Sequence, residues 1–585
     1  MNWQLKTKNL AFAIGEKITL SIQIDRCLFP ESVLFVLRND DGIISKTQID
    51  EFYLEDEYIC CDATVDKLNT GLYFFEFYLE EAETISEQLL VFDDSLARSG
   101  LFGGGIVYHI FVDRFYKYGE AAKRQDAVYL EDWDNDRVEY AENPGDFLPN
   151  NSFFGGTLYG VTEKLSYIKS LGVSCIYLSP VFEAYSNHKY DTGDFLKVDD
   201  GFGGDEALKK LINAANAYGI KIILDCAFNH TGDDSVYFNK YGKYKTLGAY
   251  QSTQSPYFEW YNFTAHPETY ECWWGVKVLP RTVRTKSYRA FICDKVLPKY
   301  LDMGIAGVRL DVADELEDDF LEQITAAVKG YGTDKIVVGE VWEDASNKVA
   351  YGVRKSYFYG KSLDGVTNYP LRNGIIEFIK TGDKALLTET IETLLSHYPK
   401  SCIENSLNFL GSHDTERIIT VLGGENGEGK SGSELVDLRM SDEEYNKAKS
   451  LVKLAFLLLL TLPGTPCIYY GDEVGIEGYR DPFNRRPFPW WHEDKEITDF
   501  IRLVASKRTM IKSEFRLIEA SDRCFAFETD MCICAVNMSQ YAEEINIDGE
   551  YIDVINGNSY KDILTVKSKN GVLAFRGVEY ENKCS

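Results

Sequence analysis

The sequence is short of several things, and each shortage removes a class of protein. No apolar run is long enough for a membrane span. The most apolar stretch, "LAFLLLLTLPG" from Leu454, is about half a span and stops at Pro463, so it predicts a buried helix. The first residues lack a continuous apolar core and a small-residue cleavage site, so no secretory signal is expected there. The 13 cysteines are odd in number and form no CxxC pair. That argues for buried thiols in a reducing cytoplasm rather than a disulfide framework or a thiolate metal site. Positive charge is also scarce. With 62 Lys and Arg against 92 Asp and Glu, the net charge of -30 disfavours nucleic acid and anionic membrane as partners. A soluble protein with a neutral ligand fits.

What is abundant is aromatic: 38 Tyr, 34 Phe and 8 Trp in 585 residues. Flat apolar faces with polar rims suit both a core and a sugar ring. Composition alone does not separate the two uses.

Residues 1–97 lack helical periodicity. Short apolar strokes ("KITLSIQI", "SVLFVLR", "LYFFEFYLE", "SEQLLVF") alternate with turn signals such as "NDDG", predicting a small β-sandwich. From "GIVYHIFVDRF" the rhythm changes to strand then helix, repeated over some 400 residues, which implies a parallel sheet with helical crossovers. The strands are "GIVYHIF", "VSCIYLSP", "IKIILDCAFNH", "IAGVRLDVADE", "KIVVGEVW", "LDGVTNY", "SLNFLGSHD" and "TPCIYYGDEVG". Eight strands fit a closed (β/α)8 TIM barrel, an α/β fold, over residues 98–512. From about 230 to 288 the rhythm breaks, with no clean helix and many aromatics, which predicts a subdomain inserted after strand three. Short strands return over 513–585 and predict a C-terminal β-sandwich.

Polar residues gather at the predicted strand ends. Asp225, Asn229 and His230 follow strand three, Arg309 and Asp311 end strand four, Glu340 ends strand five, and His413 and Asp414 follow strand seven. Residues two apart on a strand share a face, so Arg309 and Asp311 point together toward the barrel axis at its open end. Three carboxylates there, Asp311, Glu340 and Asp414, are too many for a packed core. They match the needs of glycosidic bond cleavage: an acid, a nucleophile and a stabiliser of positive charge. Arg309 is expected to hold Asp311 ionised, and the apolar Val341 and Trp342 beside Glu340 to keep that acid protonated. The pairs Trp273–Trp274 and Trp490–Trp491 are open between core packing and sugar stacking.

The ordered set "DCAFNH", "GVRLDVADE", "GEVW", "FLGSHD" resembles the four conserved regions of the α-amylase family, glycoside hydrolase family 13, and "FFGGTLYGVTEKLSYIKSLG" and "GTPCIYYGDEVGIEG" extend the likeness over about 100–585. Within it, the "SNHKYDT" segment and the N-terminal domain, read as immunoglobulin-like or carbohydrate-binding-module-like, are most similar to the neopullulanase, cyclomaltodextrinase and maltogenic amylase group. The resemblance implies a retaining hydrolase of α-1,4-glucosidic bonds in maltooligosaccharides, cyclodextrins, pullulan or starch. The rivals are an α-1,6 debranching enzyme, a glucan transferase, or a non-catalytic glucan-binding relative. It further implies Asp311 as nucleophile, with the acid about 5–5.5 Å away. Glu340 would be the acid/base and Asp414 the transition-state stabiliser. Tyr190, Asp191, His230, Arg309, His413 and Trp342 would contact substrate, and Asp225 and Asn229 would support the site. A homodimer through the N-terminal domain is implied as well.

Two departures stand out. Where the group shows a segment like "MPKLN", this chain has "VLPRTV". The loop after strand one, "RFYKYGEAAKRQD", and "FGGT" with Thr157 lack the oxygen ligands by which some members bind calcium. No cofactor or metal is therefore expected there.

Overall fold

The computed structural model describes residues 3–577 apart from 29, 80–83, 96–98 and 512–513. The expected domain boundaries at 97/98 and 512/513 lie outside the described residues.

Eight parallel strands form one sheet: β1 (Ile106–Ile110), β2 (Val173–Leu178), β3 (Lys221–Cys226), β4 (Gly307–Leu310), β5 (Ile336–Gly339), β6 (Gly365–Val366), β7 (Leu407–Phe409) and β8 (Thr465–Tyr469). Their spatial order is β6-β5-β4-β3-β2-β1-β8-β7. A parallel bridge between Thr367 and Leu407 joins β6 to β7, so the sheet closes into a barrel. The period of two sorts the side chains. Val308 and Leu310 pack outward with the helical layer. Inside, Val107, Cys175, Ile223, Ile336, Leu407 and Cys467 make an apolar floor. One inward position further on, the residues are His109, Tyr177, Asp225 and Arg309, all buried. The barrel interior thus turns from oily to polar toward the C-terminal strand ends, where the open mouth lies. Gly307 lets β4 approach β5: a Cβ there would sit 2.0 Å from the Ile336 carbonyl oxygen.

Amphipathic helices clad the barrel. Gly204–Ala217 buries Leu208, Leu211, Ile212 and Ala215, and Asp442–Thr461, started by a Ser441/Glu444 capping box, buries the run from Leu454 to Thr461. Among the described residues no helix is long and apolar enough to cross a membrane. Between β5 and β6 the expected helix is replaced by a hairpin, Val349–Ala350 with Val353–Arg354. The segment "EDASNKVAYGVRKSYFYGKS" has no helical apolar stripe and docks instead on the N-terminal domain. Arg354 pairs with Asp40 at 2.5 Å, and Gln88 hydrogen bonds Ser346 and Asn347, each at 2.8 Å.

The N-terminal domain has a four-stranded and a five-stranded sheet around a core that includes Leu20, Ile22, Phe35, Phe75, Phe77 and Leu89. At the C-terminal end the described residues form an antiparallel sheet of six strands. Its long strand Glu543–Asp553 is interrupted by an irregularity between Asn546 and Glu550, which lets a single sheet curl over its own core. Between β3 and the helix Lys286–Phe291 lie only 3₁₀ turns and the short pair Phe263–Ala265/Thr269–Tyr270. Tyr237, Phe238, Tyr257, Trp260 and Tyr261 pack ring against ring there.

Candidate active site

Arg309 is the hub. It is 2% exposed at the end of β4, where alternation turns it into the barrel. Its Nη1 donates to Asp225 Oδ1 at 2.6 Å and to Asp311 Oδ1 at 2.7 Å. Its Nη2 lies 3.1 Å from Glu340 Oε1. One cation therefore gathers three carboxylates from the ends of β3, β4 and β5. Asp225 is fully buried and also accepts from the hydroxyls of Tyr177 (2.5 Å) and Tyr190 (2.8 Å). It braces the hub and the Tyr190 ring at once.

Immediately past Asp311 the chain turns through Val312 in a left-handed conformation, φ 44°. A β-branched residue there is a strained outlier. The turn aims the Val312 amide at Glu340 Oε2, 2.9 Å away. Trp342 Nε1 donates to Glu340 Oε1 at 3.2 Å. Glu340 thus faces a guanidinium, a backbone amide and an indole N–H, and the apolar surroundings expected from Val341 and Trp342 are not what it meets. Val341 is buried in the outer layer, because adjacent residues on a strand face opposite ways, and Trp342 turns its polar edge inward while its ring stacks on Tyr369 at 3.8 Å.

The expectation for Asp311 is also corrected. Burial pushes its carboxyl well above the ordinary range, Arg309 pulls it back, and the negative charges of Glu340, Asp225 and Asp414 add to the rise. One guanidinium is shared among several carboxylates, so Arg309 offsets only part of the burial that raises Asp311.

Asp414 stands across the mouth, its side chain about a third exposed. His413 Nε2 is 3.0 Å from Asp414 Oδ2, and Arg485 Nη2 is 3.6 Å from Oδ1. Burial would raise this acid, but His413 and Arg485, with Arg309 behind them, outweigh it and hold Asp414 below the usual carboxylate range. His413 is buried, stacks on Tyr190 (5.1 Å, 12° between planes) and contacts the Tyr190 hydroxyl at 2.5 Å.

His230 is buried, its Nε2 3.1 Å from the Tyr190 carbonyl, and burial lowers it to about 4, so it is a neutral ring. Trp273 lies against it at 5.5 Å. Two expected residues stay apart from the cluster. The Asp191 carboxylate bonds the Ser186 amide and hydroxyl, and burial raises it to about 6; it fastens the loop that carries Tyr190. The buried Asn229 carboxamide has no partner among the described residues, while its carbonyl accepts from the Thr282 amide. Thr157 caps the helix Leu158–Glu163, accepting from the Gly160 amide at 2.9 Å. Among the described residues no group of three His, Cys, Asp or Glu is placed to hold a metal ion.

Sequence reasoning missed Tyr177, Tyr369 and Arg485. Tyr177 was readable from inward alternation with Cys175 on β2. Arg485 sits in "FNRRPF", in an irregular loop with no local signal. The ambiguous tryptophans divide: Trp490 is buried and Trp491 exposed, while Trp273 is half-buried and Trp274 exposed.

This architecture has known relatives. The alpha-amylase catalytic-domain model matches residues 109–286 and 282–524. An amylopullulanase of Thermoanaerobacterium saccharolyticum is 34% identical over 543 residues, covering 82% of this chain and 41% of that protein. The chain spans less than half the length of the amylopullulanases it matches. A cyclomaltodextrinase of Geobacillus thermopakistaniensis (strain MAS1) is 31% identical over 437 residues, 70% of this chain and 67% of that one. Among solved structures, the ligand-free cyclic alpha-maltosyl-(1-->6)-maltose hydrolase of Arthrobacter globiformis superposes with a TM-score of 0.66 at 26% identity, covering 83% of this chain and all of that one. With its four motifs converging at the mouth of a closed eight-stranded barrel, the chain belongs to the alpha-amylase family.

Proposed function

We propose that this chain hydrolyses α-1,4-glucosidic bonds of small or cyclic glucans, pullulan or starch, with retention of configuration. The observation that carries the reading is the single guanidinium of Arg309 gathering Asp225, Asp311 and Glu340, with Asp414 held ionised opposite. Asp311 attacks the anomeric carbon as the bond to the leaving sugar breaks, and the leaving oxygen takes the proton of Glu340. Glu340, now a base, deprotonates a water that displaces Asp311 from the same carbon. One water is consumed and one reducing end formed per bond. Asp414, below the usual carboxylate range, stays negative throughout and faces the positive charge that develops on the sugar. Tyr190, its hydroxyl tied to Asp225, offers its ring to the sugar at the cleavage point, and Trp342 flanks the leaving group.

Nuclear magnetic resonance of the first product formed should show the α-anomer; early β-anomer would sink the double displacement. A second reading, cleavage of α-1,6 bonds, has support in relatives named amylopullulanase and debranching enzyme. Chromatography of products from pullulan and β-cyclodextrin separates the two: panose from pullulan marks α-1,4 cleavage, maltotriose α-1,6.

The buried thiols of Cys60, Cys61, Cys175, Cys226 and Cys467 favour a reducing compartment, the cytoplasm. The homodimer implied by the N-terminal sandwich is tested by sedimentation of the full chain, where a monomer at micromolar concentration would reject it.

A further inference from the structure

Two aromatic rings at the mouth have no part in the reaction above. Trp274, in the inserted subdomain, is 77% exposed, and Tyr351, at the tip of the hairpin after β5, is 71% exposed. Both sit in left-handed backbone, at φ 47° and 52°, a conformation that large side chains rarely adopt. Neither ring is loose. Trp274 Nε1 donates to Glu315 Oε1 at 3.2 Å, and the Tyr351 hydroxyl donates to the same oxygen. Glu315 itself is buried, with Arg281 3.4 Å from its other oxygen. It belongs to the turn Ala313–Glu315 that directly follows Asp311 and Val312. One buried carboxylate therefore fixes two exposed rings from distant parts of the chain relative to the strand that bears the nucleophile.

Each ring is also braced from behind. Trp274 packs on Trp273 (5.8 Å, 37°), which lies against His230. The Tyr351 hairpin is pinned by Arg354, which pairs with Asp40 and lies over the Phe74 ring, both in the N-terminal sandwich. Water-exposed aromatic faces held in strained backbone by polar ties run against the hydrophobic effect unless something covers them.

We propose that Trp274 and Tyr351 form an outlying glucose-binding subsite on the leaving-group side, downstream of Trp342. Tyr351 shares the loop after β5 with Glu340 and Trp342, which sets the side. Glu315 is the positioning residue for both rings. The subsite takes a ring of a longer or cyclic α-glucan and has nothing to grip in maltotriose, which ends before it. The N-terminal sandwich thereby enters substrate choice within its own chain, through Arg354 and the hairpin. This inference rests on the glucan-hydrolase reading.

The test is calorimetric binding of maltoheptaose and maltotriose to the full chain carrying Asp311→Asn, with and without a second change. Trp274→Ala and Tyr351→Ala should each weaken maltoheptaose about tenfold, the loss of one stacked ring, and leave maltotriose unchanged. Trp274→Tyr should restore most of the loss, because a flat face returns. In the otherwise unaltered enzyme the same alanine variants should raise KM for maltoheptaose and leave kcat for maltotriose as it was. Equal weakening of both sugars, or no weakening of either, overturns the subsite while leaving the hydrolase reading intact. Failure of the Asp311→Asn chain to bind any glucan overturns both.

Discussion

Glu340→Gln separates the roles of the two central acids. The change removes the proton donor and keeps the shape. General acid/base help of this kind contributes about 10²–10⁴-fold, so turnover of maltooligosaccharides should fall by about that factor, or about 3–5 kcal/mol in the barrier. The fold should survive. Glu340 Oε1 meets Arg309 and Trp342, and Oε2 meets the Val312 amide. A glutamine can keep its oxygen on the first pair, and its NH₂ then faces the Val312 N–H, a lost hydrogen bond worth about 1–3 kcal/mol. Against that, the shape and the contacts of Oε1 are kept. The net change in melting temperature should be a few degrees at most. α-Maltosyl fluoride gives the sharper assay, since fluoride departs without a proton. Asp311 should still attack, but the ester it forms lacks a base to activate water and should accumulate, visible as a maltosyl adduct on the Asp311 peptide by mass spectrometry. Activity on maltooligosaccharides within threefold of the parent, or an adduct on Asp414 instead, would refute the assignment.

Glu473, fully buried between the barrel wall and the helix Leu165–Ser170, is raised to about 7 by burial, although the Tyr108 and Tyr167 hydroxyls at 2.6 and 2.9 Å pull it back. A carboxyl raised in the folded state contributes stability that is present below its ordinary value near 4.5 and is lost as pH rises through 7. Glu473→Gln should thus gain on the parent by up to about 3 kcal/mol between pH 4 and 8; a stability difference that does not change with pH would contradict this. We also expect chelators to leave activity and melting temperature unchanged, because the loop after β1 offers few oxygen ligands and Thr157 is occupied as a helix cap. A melting point that falls in EDTA and recovers with calcium would show a metal site elsewhere.

Much of this was legible in the sequence for a plain physical reason. Strand alternation is local. Once "GVRLDV" is a barrel strand, Arg309 and Asp311 must point inward together, and the same rule puts Asp225 beside them. Eight apolar strokes separated by amphipathic helices have few ways to bury their faces other than a closed barrel. Capping boxes and turn glycines likewise act within a few residues of themselves. The tertiary structure decided what depends on distance between remote segments. It showed that Glu340 faces three donors rather than apolar walls, because which edge of Trp342 turns inward is set by Tyr369 on the far side of β6. It brought Arg485 from an irregular loop to Asp414, and turned Asp191 away from the site onto Ser186. It divided the tryptophans between core and rim, which identical dipeptides do not announce. The protonation balance of Asp311 belongs here too. The sum of one cation and several anions in a buried volume is fixed only when strands from across the barrel meet, since electrostatic coupling follows distance in space and not along the chain.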